Sequence, residues 1–435
     1  MQHFAFIAKW SIFAICPKGL LQNRIMMKNI FKISSVCLLL AVMFSSCGDD
    51  RSGEYYDMTK ENQWIYSAMQ EHYLWGDSLP SLDHKQFFAA TSKFFSSLLY
   101  KGDKVSFFND TVSAGSYGMT FTLMRDPLSI RPGKVYALVL KVSPGSPAWN
   151  SGVKRGTWIS AVNGKALSTS SSSVLATGTG AELATEYIDY DDEQGYFWVE
   201  SDTLSVAEAT DLAEDAILVD SLYNVRDNKV GYIALNSFSG DSFAEQAQQI
   251  MLGFANAQAS DIVLDLRYCS GGTVANAVLL ASMLVPASAY STPFCTLMGA
   301  GEVADTVYNY SGQMTNLSDK PLYIILGSRT HGVAELLASS VECTRGTSNV
   351  VTLGARTNGG GMMTEAIESP YGFTINPVVS IMYNSNDEAL PASGIEAECQ
   401  MDEIVNPLNI HALGSEQEHI LYNIFYLIVN GMLPE

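Results

Sequence analysis

The sequence predicts a multidomain α/β protein, and three observations predict it. From Lys229 onward, short apolar runs alternate with stretches of helical spacing, the pattern of a parallel sheet joined by crossover helices. Residues 115–168 hold a strand-like run, Val135–Val142, and an Asn163-Gly164 pair that marks a hairpin turn. Residues 54–110 space their aromatic side chains as helices do. At 435 residues and 47 % hydrophobic, the chain is long enough for two or three cores.

Residues 1–47 read as an export signal. From Met27, Lys28 and Lys32 precede an apolar run, Val36 to Phe44, which is too short to span a membrane as a helix. Translation is expected to begin at Met27, because the signal is complete from there. Phe44-Ser45-Ser46-Cys47 resembles a bacterial lipobox. That resemblance implies lipidation of Cys47 and anchoring to the outer membrane of a Gram-negative bacterium, on its periplasmic or cell-surface face. An ordinary export signal is the alternative. The net charge is −20, and residues 1–46 hold five basic and no acidic residues, so the mature chain carries −25. Such a charge excludes nucleic acid as a partner, which needs a basic face, and leaves the lipid anchor as the expected membrane contact.

Residues 48–112 predict a small helical cap. Trp64, Ile65, Ala68, Met69, His72, Tyr73 and Trp75 share one helix face, and Phe87, Phe88, Phe94, Phe95, Leu98 and Leu99 a second, with Gly76 to Pro80 as the break.

Residues 113–175 resemble a PDZ domain. The run from Pro144 through Gly152 and Gly156 to Asn163-Gly164 follows the pattern of these modules closely, with Thr157 where they usually have Asp. The resemblance implies that backbone N–H groups of Tyr117, Gly118, Met119, Thr120 and Phe121 hold the C-terminal carboxylate of a peptide that adds as a strand. The alternative is a PDZ fold kept as a lid with a blunted groove. Ser168–Ser173 reads as a serine-rich linker or loop. Residues 176–227 carry an acidic patch, Asp189 to Glu193, and a strand-like run from Tyr196. They are expected to complete this module and cross to the main domain.

Residues 228–405 read βα repeatedly. Val230–Leu235 is a strand, and Asp241 to Ala257 is an amphipathic helix with Asp241 as its N-cap or a first-turn residue. Ile262–Leu266 is an apolar strand suited to burial on both faces. Ser270-Gly271-Gly272 then turns into a helix from Thr273 to Leu284, which Pro286 stops. Such a turn aims N–H groups at a negative oxygen, or serves only close packing. Pro321–Leu326 is another strand, and the run after Gly327 opens a helix. Residues 406–435 close the chain with a helix over Ser415–Val429.

Asp265-Leu266-Arg267, followed after three residues by Gly271-Gly272, resembles a stretch of the C-terminal processing (tail-specific) serine peptidases, with Cys269 where that pattern has Asn. The runs Gly354 to Gly361 and Leu390 to Glu398 fit the same family. The resemblance implies a ClpP/crotonase-like spiral of βα units, with Gly271 and Gly272 in the oxyanion hole. It also implies a nucleophilic serine three residues before Glu335 and a lysine base in the loop after Gly354. Those two positions are Gly332 and Gly360 here.

Glycine has no hydroxyl to attack a carbonyl and no amine to take a proton. Ser328 and His331, with Glu335 behind them, are the substitutes within reach. Cys269 and Cys343 have no identifiable basic partner. The expectation is a pseudo-peptidase that binds peptides or protein C-termini without cutting them. The alternatives are a serine endopeptidase with a relocated nucleophile, and a structural surface lipoprotein of an uptake assembly. No cofactor and no metal are expected, because His72, His84, His331, His411 and His419 are scattered. Cys269, Cys295, Cys343 and Cys399 have neither CxxC nor zinc spacing. They read as disulfide partners in an exported chain or as small buried apolar residues.

Overall fold

The computed structural model describes residues 52–110, 115–212, 214–313 and 315–434. The export signal and Cys47 lie outside the described residues. No helix among the described residues is long and apolar enough to cross a membrane.

Helix α1 (Ser52–His72) buries Ile65 and Met69 against Phe94, Phe95 and Leu98 of α2 (Thr91–Leu98). The single second helix expected over Phe87–Leu99 is broken. A 3₁₀ turn, His84–Phe88, gives way to extended backbone at Ala89 and Ala90 before α2 begins. The reason is competition for backbone groups: the Asn62 amide donates to the carbonyls of Phe87 and Ala89, both at 2.8 Å. Strand β1 (Phe107–Asp110) pairs antiparallel with Phe373–Asn376. The cap therefore shares its core with Phe373, Ile375 and Val378.

A small antiparallel sheet follows. It consists of β2 (Met119–Arg125), β3 (Val135–Val142), β4 (Trp158–Val162), β5 (Lys165–Ala166), β6 (Ala181–Asp191) and β7 (Gly195–Val206). The strand order is β2-β3-β4-β6-β7, with β5 folded back on β4. Asn163 and Gly164 both have positive φ, 51° and 72°, as that hairpin turn requires. Ser146 caps the short α3 (Pro147–Asn150) by accepting the Trp149 N–H at 3.2 Å. Ser168–Ser173 is not a free linker. The hydroxyls of Ser168, Ser170 and Ser171 bond one another, and α4 (Ser172–Ala176) follows with Leu175 buried.

The main sheet begins with β8 (Ile217–Val225), antiparallel to β9 (Asn228–Leu235). Helix α5 (Phe243–Asn256) is flanked at its start by Ser242 rather than Asp241. Strand β10 (Asp261–Asp265) pairs parallel with β9, and α6 (Val274–Leu284) follows, capped by the Thr273 hydroxyl. Strands β11 (Pro293–Met298) and β12 (Ala304–Asn309) pair antiparallel in a separate four-stranded sheet. The main sheet resumes with β13 (Leu322–Leu326), then α7 (Val333–Arg345), then β14 (Val350–Gly354), parallel to β13. Every residue of β10 and β13 is buried, because helices cover both faces.

The remaining strands are β15 (Met362–Thr364), β16 (Ile367–Glu368), β17 (Phe373–Asn376), β18 (Val378–Tyr383) and β19 (Cys399–Gln400). The main sheet then reads β19-β14-β13-β10-β9-β8. The closing helix α8 (His419–Asn430) starts four residues later than the sequence predicts, because the Glu418 carboxylate caps it by accepting the Leu421 N–H at 3.1 Å.

Candidate functional site

Three turns meet at the carboxyl ends of β10, β13 and β14, where open α/β sheets place their ligands. Backbone bonds lace them together. The His331 N–H donates to the Cys269 carbonyl at 3.1 Å, the Gly271 N–H to the His331 carbonyl at 3.3 Å, and the Asn358 N–H to the Thr330 carbonyl at 2.9 Å. The Thr330 hydroxyl donates to the Leu266 carbonyl at 2.7 Å and accepts the Gly327 N–H at 2.9 Å.

Buried Glu335, in the first turn of α7, holds two of these turns at once. One carboxylate oxygen accepts the Gly332 N–H at 2.9 Å. The other accepts the Gly359 N–H at 2.8 Å and the Thr357 hydroxyl. A buried carboxylate is tolerable only with such donors, and here all three come from the loops that carry the candidate positions.

Gly332 sits at the N-cap of α7 with φ 62° and ψ −117°. This is a sharp strand-to-helix turn of the kind that lifts a nucleophile into a site. A Cβ added there would meet no atom within 4 Å. Gly360 differs. Its φ is 106°, and an added Cβ would lie 2.8 Å from Val105 Cγ2 and 3.6 Å from His331 Nε2. Val105 is held in place, because its N–H and that of Ser106 both donate to Asp103 Oδ1 at 2.9 Å, and the Tyr73 hydroxyl donates to Asp103 Oδ2 at 2.8 Å. Nothing in the sequence signals that a cap residue comes this close to Gly360.

The glycine turn also divides. The Gly271 N–H is committed to His331. Gly272 is exposed, and among the described residues its N–H has no protein acceptor. Gly272 must be glycine: its φ is 104°, and a Cβ would lie 2.5 Å from the Phe238 backbone.

Ser328 is exposed and lines a 250 Å³ cavity with Arg267, Arg329 and Glu403. No hydrogen bond joins it to His331, and none joins His331 to Glu335, whose oxygens are engaged elsewhere. In the small sheet, Tyr117 is 1 % exposed and its N–H donates to the Ala176 carbonyl at 3.0 Å. The Gly118 N–H donates to Ser116 Oγ at 3.0 Å. Met119, Thr120 and Phe121 enter β2, and the Phe121 carbonyl accepts Arg329 Nη2 at 3.1 Å. Two of the five expected carboxylate donors are thus used within the module, one by the end of α4 and one by the loop itself. Cys269, Cys295, Cys343 and Cys399 are all free. Burial pushes the Cys269 thiol well above its ordinary range and the Cys295 thiol up to about 12, so both are inert as nucleophiles. Among the described residues, no group of three or more His, Cys, Asp or Glu side chains is placed to hold a metal ion.

Beneath the glycine turn lies a charge network that sequence reasoning missed. Arg267 is 2 % exposed. Its Nη2 donates to Asp265 Oδ2 at 2.6 Å and its Nη1 to Glu418 Oε1 at 2.6 Å. The Tyr232 hydroxyl donates to Asp265 Oδ2 at 2.8 Å. Arg155, from the small-sheet module, donates to the Tyr268 hydroxyl at 2.7 Å and to Glu403 at 2.8 Å. The available signal was an arginine placed two residues after Asp265, at the end of a strand otherwise suited to burial, where a charge must be paired.

A profile of peptidase family S41 matches residues 229–401, and one of the peptidase S41 N-terminal domain matches residues 60–107, together just over half of the chain. The chain is 24 % identical over 307 residues to the carboxy-terminal processing protease CtpA of Bacillus subtilis (strain 168), covering 69 % of this chain and 61 % of that protein. It is 25 % identical over 225 residues to the carboxyl-terminal-processing protease of Picosynechococcus sp., covering 50 % of each. The match thus spans half to three-fifths of those curated relatives. Among solved structures, an S41 protease from Bacteroides fragilis NCTC 9343 superposes with a TM-score of 0.72 at 22 % identity, covering 85 % of this chain and 97 % of that one. The photosystem II D1 C-terminal processing protease superposes with a TM-score of 0.51 at 17 % identity, covering 81 % and 95 %. These likenesses carry the fold.

Proposed function

Because this chain belongs to peptidase family S41, we propose that it is an exported, lipid-anchored pseudo-peptidase that binds peptides or protein C-termini without cleaving them. The observation that carries the reading is the pair of glycines at the nucleophile and base positions. Gly332 keeps the strained turn without a side chain, and the space beside Gly360 is taken by Val105 and His331. The scaffold around an acyl-transfer centre is retained while its nucleophile and base are absent. What remains is a cleft edged by the Gly271-Gly272 turn, where the exposed Gly272 N–H can donate to a peptide oxygen. The curated relatives are named for processing carboxyl termini, so C-terminal peptide segments are the ligand class this cleft would receive. Anchoring at Cys47, at the periplasmic or cell-surface face of the outer membrane, rests on the Phe44–Cys47 run.

A second reading, that the 115–210 module is a structural, PDZ-like lid without a working groove, is favoured by the internal bonds of the Tyr117 and Gly118 N–H groups. A relocated Ser328 nucleophile has no assembled base behind it.

Incubating the full chain with an unstructured protein and, separately, with a fluorophosphonate probe tests the proposal. Neither cleavage nor labelling is expected, while peptides with a free C-terminus bind. Labelling that disappears in Ser328→Ala would overturn it.

A further inference from the structure

A cavity of 510 Å³ lies on the other side of the small-sheet module, where β3 and α3 face β8 and the segment before α8. Its walls are Leu140, Val142, Trp149, Val153, Leu218 and Leu413. Its volume falls within the roughly 300–1,000 Å³ of sites that take small molecules. Val142, Leu218 and Leu413 stay half-buried there, and Trp149 is 52 % exposed, so apolar surface faces this space without a protein partner to cover it fully.

The charges around it are one-sided. Lys141, Lys154 and Arg155 line the cavity and no carboxylate does, in a chain of net charge −20. Two of these cations are already matched. Lys141 Nζ donates to Asn236 Oδ1 at 2.6 Å and to Glu214 at 3.1 Å, and Arg155 serves Tyr268 and Glu403. Lys154 is exposed, and among the described residues its ammonium makes no ion pair. An apolar pocket with one uncommitted cation at its edge is complementary to a single aliphatic chain carrying an anionic head. The chain would lie on Val142, Trp149, Leu218 and Leu413, and the head would meet Lys154.

We propose that this cavity binds an amphiphile with one anionic head group, a long-chain carboxylate or the equivalent part of an anionic lipid. The site is separate from the glycine turns and independent of whether peptides bind there.

Laurate titrated into the full chain, followed by tryptophan fluorescence and by calorimetry, provides the test. Two variants localise the signal. Ala412→Trp fills the cavity from an exposed position, and Lys154→Glu reverses the head-group charge. Saturable binding that Ala412→Trp removes and Lys154→Glu weakens by roughly tenfold or more is the expected result. Dodecyltrimethylammonium should bind the wild-type chain more weakly than laurate does. Co-sedimentation with phosphatidylglycerol vesicles distinguishes the source. Loss of vesicle binding in the same variants assigns a membrane lipid, and vesicle binding they do not change assigns a free amphiphile. Absence of saturable laurate binding, or binding that both variants leave intact, overturns the proposal.

Discussion

Glu335 Oε2 accepts the Gly332 N–H at 2.9 Å, so the backbone of the turn that opens α7 is held by a carboxylate three residues further on. The other oxygen holds Thr357 and Gly359. Glu335→Ala leaves three buried donors without an acceptor. A loss of about 3 kcal/mol or more is expected, read as a lowered melting temperature. An unchanged melting temperature would show that the two loops hold themselves.

The two glycine positions should respond differently to restored side chains. Gly332→Ser meets open space and pays only for its backbone angle, about 1 kcal/mol. Gly360→Lys meets Val105 Cγ2 at 2.8 Å as well as an unfavourable φ, and should destabilise several times more. Val105→Ala should recover part of that loss. Denaturant titration of the three variants checks the order, and equal costs at the two positions would refute it.

The paired glycines of the first turn make a similar contrast. Gly271→Ala meets no atom within 4 Å, whereas Gly272→Ala drives its Cβ against the Phe238 backbone at 2.5 Å. A cost of about 1 kcal/mol is expected at 271 and about 3 kcal/mol at 272. Reversal of that order in melting experiments would contradict the turn geometry described.

Arg267 neutralises Asp265 and Glu418 in the interior. Arg267→Met leaves two buried carboxylates facing each other and should cost about 3–5 kcal/mol. Changing Asp265 and Glu418 to their amides in the same chain should recover stability. A triple variant no better than Arg267→Met would argue against charge as the cause.

Acid sensitivity should come in part from Glu186. Burial opposes its ionisation, but Lys134, Ser160 and Arg131 together hold its carboxyl below its ordinary value of 4.5. The unfolded chain therefore takes up this proton first as pH falls. The stability this group supplies is complete above about pH 4.5 and is lost below it. Glu186→Gln should show a lower melting temperature at neutral pH and a smaller further drop between about pH 5 and pH 3. A parallel acid limb in both proteins would remove Glu186 from the account.

The βα order, the Asn163-Gly164 turn and the helix from Thr273 were legible because periodicity and turn chemistry are local. The break at Ala89 was not, since it depends on the Asn62 amide from a different helix. The delayed start of α8 has the same cause, a cap residue shared with Arg267. At the candidate site, the glycines could be located from their neighbours in the chain. That Gly271 would direct its N–H to His331, and Tyr117 its own to Ala176, depends on contacts that no spacing encodes.

Val105 approaches the place a side chain would take at Gly360, and Asp103 pins Val105 where it is. An amine side chain cannot simply be placed at position 360, because the cap must first give way. A change at Val105 alone opens a gap in the cap core, and a change at 360 alone collides with it. Mutational drift toward a basic side chain at 360 therefore crosses a valley from either side, and the present arrangement acts as a ratchet.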